Sequence, residues 1–285
     1  MLRYVLSALL AAGSAFAKTS SLASGPVVQT TAPSTAEDWV RKGQEQNKAG
    51  QYREASLSFE EATRADRKNV EAKLGLANAC VKLWMKGGIS PTAENNYFRA
   101  RNTLLDLLDQ QPDNKRALSA LSRISLQRAN SMGDRKTRNE MLDEARIWDL
   151  RLIAIDPNDV GAHYALGVIA WTRCIGPESQ SHIPQNVKVP DADVPPEVQA
   201  RLNYRAVCEE PVEEGIWHLT KALEVEKNSD ASMGYLGALY NMKAGYEDSP
   251  EDAQRDRESS SKWTAKAEAL RKSRAAKGNP TPPNR

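Results

Sequence analysis

The strongest constraint on the fold of this chain is a self-similar spacing of large and small residues. When Ala36 is counted as position 1 of a 34-residue unit, positions 4, 17 and 24 are large and positions 8, 20 and 27 are small. The large residues are Trp39, Tyr52 and Phe59, and the small ones are Gly43, Ala55 and Ala62. Small residues let two helices approach closely, and large residues fill the space between turns. The spacing therefore predicts a pair of packed antiparallel helices.

These positions are the signature sites of the tetratricopeptide repeat (TPR), and the segment resembles that family. The resemblance implies an all-α, right-handed superhelical solenoid of stacked helix pairs. Three sites depart from the family pattern: Lys42 replaces a leucine at position 7, Gln46 an aromatic residue at position 11, and Arg67 a proline at position 32. The first unit is therefore predicted to be an edge repeat, whose outer side faces water.

The following units keep the pattern and lengthen it. Position 32 falls at Arg67, Pro112 and Pro157, which are 45 residues apart. The 11 additional residues per unit amount to about three helical turns, which keeps the apolar face nearly in phase. A period near 45 also fits HEAT repeats, but the first unit and the turn Asp156-Pro157-Asn158 favour the tetratricopeptide repeat. We therefore predict lengthened helical hairpins.

About five repeats are expected within residues 36–277. Their approximate ranges are 36–69, 70–114, 115–159, 160–229 and 230–275. The fourth repeat is interrupted by an insert at 174–210, where several prolines predict loop together with one helix from Glu197 to Val207. The second helix of that repeat is predicted from Gly215 to Val225. In the third repeat, Asp149 at position 24 is a poor match to the pattern.

The two ends of the chain carry different signals. Met1-Leu2-Arg3, an apolar run from Tyr4 to Ala12 and the sequence Ala15-Phe16-Ala17 are typical of a secretory signal peptide at 1–17. Residues 18–34 are predicted to be a flexible linker, and residues 278–285 a disordered tail. Further along the chain, no apolar run reaches the roughly 18 residues of a membrane helix. The expected location is therefore periplasmic or secreted.

The composition and motifs favour no particular chemistry. Lys and Arg number 39 against 37 Asp and Glu, a net charge of +2 that gives no support to nucleic-acid binding. Motifs for zinc proteases, serine hydrolases and nucleotide binding are absent from the sequence. His163 and His218 fall at packing positions, and a metal site of Cys174, His182 and Cys208 is only a remote alternative. We expect no cofactor, no metal and no catalytic residue.

The cysteines suggest a crosslink at the base of the insert. Cys174 follows the first predicted helix of repeat four, and Cys208 precedes the second. The two ends meet in a helical hairpin, so a disulfide is possible in an exported protein. The alternative is two unrelated small apolar residues. Cys80 is expected to be a buried thiol.

The resemblance also implies a binding surface. In this family the first helix of each repeat lines a concave groove, mostly through positions 2, 5, 9 and 12. Arg, Tyr and Trp are enriched in binding hot spots. The candidate groove residues are Asn78, Arg116, Arg123, Tyr164, Val168, Trp171 and Asn241. Some family members hold a C-terminal carboxylate with Lys at position 5 and Asn at position 9, but the first repeat has Val40 and Gln44 there.

The expected function is an exported scaffold that binds another protein or a peptide in the groove and has no activity of its own. One alternative is a structural or accessory subunit in cell-envelope assembly, acting through the convex face and the insert. A metal-dependent enzyme is the remote alternative.

Overall fold

The computed structural model describes residues 35–88, 90–175 and 195–276, which form ten α-helices and no strand. The predicted signal peptide, linker and tail lie outside these ranges, as do residues 176–194 of the insert. The helices are α1 (Ala36–Lys48), α2 (Tyr52–Ala65), α3 (Val70–Lys86), α4 (Pro91–Gln110), α5 (Lys115–Ser131), α6 (Arg135–Ile155), α7 (Val160–Cys174), α8 (Pro196–Val225), α9 (Asp230–Ala244) and α10 (Pro250–Ala276). None of the described helices is long and apolar enough to span a membrane.

The helices are arranged as five consecutive antiparallel pairs. Each odd-numbered helix packs mainly against the helix that follows it, and also against the next odd-numbered helix. The odd-numbered helices α1, α3, α5, α7 and α9 therefore form one layer, which we call the first-helix layer, and the even-numbered helices form a second. The predicted all-α solenoid of five helix pairs is confirmed.

A recurring cap starts the helices of the first-helix layer. Asn69, Asn114 and Asp159, 45 residues apart, each accept a hydrogen bond from the backbone N–H three residues later. These bonds satisfy N–H groups that have no partner within the helix. The pairs α3/α4 (17 and 20 residues) and α5/α6 (17 and 21) are longer than α1/α2 (13 and 14). The 45-residue spacing thus comes from lengthened hairpins.

Close contact between positions 8 and 24 holds the two helices of a pair together. Gly43 faces the ring of Phe59, Gly167 faces Leu219, and Gly237 faces Thr264. In the third pair both positions are polar: the Ser122 hydroxyl donates a 2.8 Å hydrogen bond to a carboxyl oxygen of Asp149. Asp149 therefore occupies a place that the first, second and fourth repeats fill with a large apolar side chain, Phe59, Leu104 or Leu219, which explains its poor match.

The structure differs from the prediction in the second half of the insert. The separate helix expected at 197–207 and the helix expected from Gly215 are one 30-residue helix, α8. Pro211 lies inside it and removes the hydrogen bond to the Val207 carbonyl. Cys208 and Val212 on either side are buried in the core shared with α9, and this packing holds the helix together across the proline. Residues 196–210 are thus the first half of α8.

Candidate functional site

Three aromatic rings come together where α7 meets α9. Tyr235 of α9 lies beside both Tyr164 and Trp171 of α7, with ring centroids 5.8 and 5.3 Å away. Its plane is inclined at 72° and 73° to theirs, the edge-to-face arrangement that aromatic pairs favour. All three side chains are half-buried in the first-helix layer. We call Tyr164, Trp171 and Tyr235 the aromatic patch.

Sequence reasoning missed Tyr235. It stands at position 6 of the fifth repeat, next to Gly234, which occupies the groove position 5. An added Cβ at Gly234 would meet the Arg271 guanidinium of α10, whereas the Tyr235 ring contacts α7, so position 6 of this repeat faces the fourth repeat. Burial and the neighbouring Tyr235 raise the pKa of Tyr164 to about 12. The Tyr164 hydroxyl is therefore neutral at physiological pH and can donate a hydrogen bond.

The two predicted groove arginines have different surroundings. Arg116 of α5 forms a two-pronged ion pair with Glu71 of α3, and the hydrogen bonds and charge of Arg116 lower the pKa of Glu71. Arg123 is exposed, about two turns further along α5, and forms no ion pair with any residue that the structure describes. Arg116 therefore joins two repeats, while Arg123 is available to a ligand.

The other three groove candidates also differ in accessibility. Asn241 of α9 is exposed and Asn78 of α3 is half-buried, so both can reach a ligand. Val168 is only 7% exposed, and its prediction as a contact residue is corrected. The reason is that α7 is enclosed by α5, α6, α8 and α9, so a side chain in the middle of the helix packs against its neighbours.

The two described histidines join α7 to α8. His163 Nδ1 lies 2.8 Å from His218 Nδ1, and His163 Nε2 lies 3.1 Å from the Pro157 carbonyl oxygen. Because a carbonyl only accepts, neutral His163 donates through Nε2 and accepts through Nδ1 from His218. Burial lowers the pKa of His163, which favours this neutral form. His182 lies outside the described residues, within which no three His, Cys, Asp or Glu side chains are placed to hold a metal ion.

Cys174 and Cys208 meet at the junction of α7 and α8, but they are not bonded. Both are buried in one apolar cluster, and all three cysteines of the chain are free thiols in the structure. The hydrogen bond with Cys208 and burial raise the pKa of the Cys174 thiol. The structure thus brings the two cysteines of the predicted disulfide together, and the bond itself stays a prediction.

We expect this pair to form a disulfide when the protein is folded in a glutathione buffer rich in glutathione disulfide. Two thiols become one disulfide while glutathione disulfide is reduced to two glutathione molecules. Closing the loop of about 35 residues should raise the free energy of unfolding by about 3–4 kcal/mol. Labelling of the unreduced, denatured protein should then find one free thiol, Cys80. Three labelled thiols would rule out the bond, and Cys208→Ser is the control that cannot form it.

Comparisons with known proteins identify the fold. No protein-family model and no curated protein matches the chain. A crystal structure of the MamA protein superimposes with a TM-score of 0.52 and 14% identity over 87% of this chain and 98% of that one. MamA from residue 41 to its end, from Desulfovibrio magneticus RS-1, superimposes with a TM-score of 0.51 and 16% identity over 85% of this chain and 98% of that one. YrrB, described as a TPR protein with an unusual peptide-binding site, superimposes with a TM-score of 0.48 and 12% identity over 83% of this chain and 92% of that one.

Identities this low indicate a shared fold and leave activity and partners open. MamA is a tetratricopeptide-repeat protein, and its structural similarity to this chain covers most of both chains. The contacts between positions 8 and 24 in the first, fourth and fifth helix pairs are those that the repeat pattern requires. The chain is therefore an α-solenoid with the tetratricopeptide-repeat fold.

Proposed function

We propose that the chain is an exported scaffold that binds a segment of another protein, or a peptide, along the first-helix layer and catalyses no reaction. The aromatic patch is the observation that carries this proposal. Tyr and Trp side chains left partly open to solvent offer a large, rigid contact area and are enriched in binding hot spots. The patch spans the fourth and fifth repeats, so a ligand on it would contact two repeats at once.

Export is the part of the proposal that the N-terminal sequence supports. Residues 1–17 carry a positive start, an apolar run and a small-residue cleavage pattern in the order of a signal peptide. The mature protein recovered from its source cells should begin at Lys18, as measured by intact mass. A full-length chain that still begins at Met1 and stays in the cytoplasm would contradict export.

A structural role through the second layer is the other candidate function. Ile147 of α6 and Trp217 of α8 are 55% and 53% exposed, and both stand at position 22 of their repeats. The ion pair between Arg146 and Glu214 joins the same two helices. Two large apolar side chains at equivalent exposed positions of neighbouring repeats are a feature of contact surfaces. An assembly partner could therefore bind this layer instead.

Site-specific photo-crosslinking separates the two functions. A photoreactive phenylalanine analogue at Asn241 of α9 reports on the first-helix layer, and the same analogue at Asn102 of α4 is the matched control on the second layer; both asparagines are exposed. We expect a protein partner crosslinked from position 241 in source cells, and loss of that product in Trp171→Ala. A product from position 102 that persists in Trp171→Ala would instead support the structural role.

A further inference from the structure

The small net charge of the chain conceals an uneven distribution between the two layers. The first helices of repeats two to five, α3, α5, α7 and α9, carry nine lysines and arginines but only two acidic residues, Glu71 and Asp230. Neither α5 nor α7 contains any acidic residue. The first-helix layer of these repeats is therefore basic, although the whole chain is nearly neutral.

Most of these charges are already neutralised within the fold. Glu71 is held by Arg116, and the buried Asp230 by Arg271 and Arg274 of α10. Five of the basic residues bind carboxylates of second helices or turns, as Arg128 binds Glu94. Lys86 lies over the ring of Tyr52.

Two exposed cations are left over on the first helices of repeats two to five. Lys82 of α3 and Arg123 of α5 form no ion pair with any residue in the described ranges, and both acidic residues of these four helices are paired. Arg123 stands at position 9 of its repeat, and Lys82 stands one helical turn beyond the equivalent residue, Asn78. The first helices of repeats two and three therefore offer positive charge to a ligand and no unpaired negative charge.

The aromatic patch continues the same layer in repeats four and five. Neighbouring packed helices lie about 8–10 Å apart, so α7 lies about that distance from α5, which carries Arg123. Helix α3, which carries Lys82, lies the same distance from α5 on the other side. An extended peptide advances about 3.3 Å per residue, so about three residues span this distance. When one peptide residue lies on the patch, the residue about three positions away along the peptide would therefore lie near Arg123. The residue about six positions away would lie near Lys82.

The geometry of the patch indicates which side chain it accepts. The rings of Tyr164 and Trp171 both pack edge to face with the ring of Tyr235, so the surface between them has shallow, angled depressions and no deep cleft between parallel rings. Such depressions fit a compact apolar group, and proline-rich segments dock on aromatic-lined surfaces at low entropic cost. Single-stranded nucleic acid is less suited, since it requires free ring faces for stacking and a continuous track of cations.

We propose that the first-helix layer binds an extended acidic peptide with a proline or a compact aliphatic residue on the aromatic patch and carboxylates near Arg123 and Lys82. This inference rests on the proposed function and specifies the chemistry of the partner. The carboxylates set the direction of the peptide, since charge complementarity fixes register.

Selection from a peptide library tests the proposal directly. The probe is a phage-displayed library of random linear peptides of about 12 residues, panned at low ionic strength, where charge contacts are least screened. We expect enriched sequences to carry an acidic residue about three to six positions from a proline or aliphatic residue. An enriched peptide is then synthesised with a fluorophore, and its affinity is measured by anisotropy.

Three variants divide the possible outcomes. Arg123→Glu should weaken the acidic peptide about tenfold or more and should favour a copy in which lysine replaces the acidic residues. Arg53→Glu, at an exposed arginine of α2, should leave both affinities unchanged. Trp171→Ala should abolish binding, and its circular dichroism and melting temperature report whether it folds.

Each contrary result removes a different claim. If the enriched peptides lack acidic residues, or ignore Arg123→Glu, but lose binding in Trp171→Ala, the acidic-peptide proposal is wrong and the proposed function stands. If no peptide is enriched, or if binding ignores both Trp171→Ala and Arg123→Glu, both are contradicted. Tighter binding of an oligothymidine probe than of any selected peptide would replace the peptide by a nucleic acid.

Discussion

Replacing Gly167 with alanine should lower the free energy of unfolding by about 2–3 kcal/mol, as measured by urea denaturation. Gly167 lies in the middle of α7 at position 8 of the fourth repeat, directly against Leu219 of α8. An added Cβ would lie 2.7 and 2.8 Å from the two methyl carbons of Leu219, closer than van der Waals contact allows. Leu219 is fully buried, so it cannot move aside without displacing other core residues.

The sign of this effect separates close packing from helix propensity. An alanine in the middle of a helix is more stable than a glycine by about 0.5–1 kcal/mol when nothing else changes. The matched control is Gly133→Ala in the loop between α5 and α6, where an added Cβ has no neighbour within 4 Å. This control should leave the stability unchanged or raise it slightly. If Gly167→Ala also raises it, α7 and α8 do not pack as closely as the structure shows.

The large-scale fold follows from the sequence because it depends on repeated local rules. A glycine at position 8 and a large residue at position 24 predict a helix pair wherever they recur, and Gly43 with Phe59 and Gly167 with Leu219 make the predicted contacts. Helix α8 shows the limit of such rules. Its prolines suggested a loop, but burial of Cys208 and Val212 against the core around Tyr246 outweighs the one hydrogen bond that Pro211 removes.

The candidate site could be predicted only in outline, because repeat positions do not reveal what neighbouring helices cover. Tyr164 and Trp171 are open at the predicted positions, while the equally periodic Val168 is buried between four helices. Arg116 and Arg123 are similar in sequence, but Glu71 of another repeat pairs with the first alone. Tyr235 was missed because the pattern assigned its place to Gly234. These differences arise from contacts between residues far apart in the chain.

Replacing Asp149 with asparagine should stabilise the protein by about 2–4 kcal/mol at about pH 8. Asp149 is only 2% exposed, and burial raises its pKa from 3.8 to about 8, partly offset by the hydrogen bond from Ser122. The folded state therefore keeps the proton up to about pH 8, whereas the unfolded chain loses it near pH 4. Stability consequently falls as the pH rises through this interval, by at most about 6 kcal/mol. Asparagine has nearly the same shape, can still accept from Ser122 and carries no such penalty.

The pH dependence of this gain identifies its cause. The difference between Asp149→Asn and the unmodified protein should be below about 1 kcal/mol near pH 4, where the unfolded carboxyl is only about half ionised. It should grow as the pH approaches 8 and then remain constant. The matched control is Asp113→Asn, at an exposed aspartate in the turn before α5, whose effect should be small at every pH. Urea denaturation between pH 4 and pH 8 measures the free energy of unfolding of both variants and of the unmodified protein. A gain that is the same at pH 4 and pH 8 would show that the cost of Asp149 lies in shape or polarity, and not in a buried carboxyl that must keep its proton.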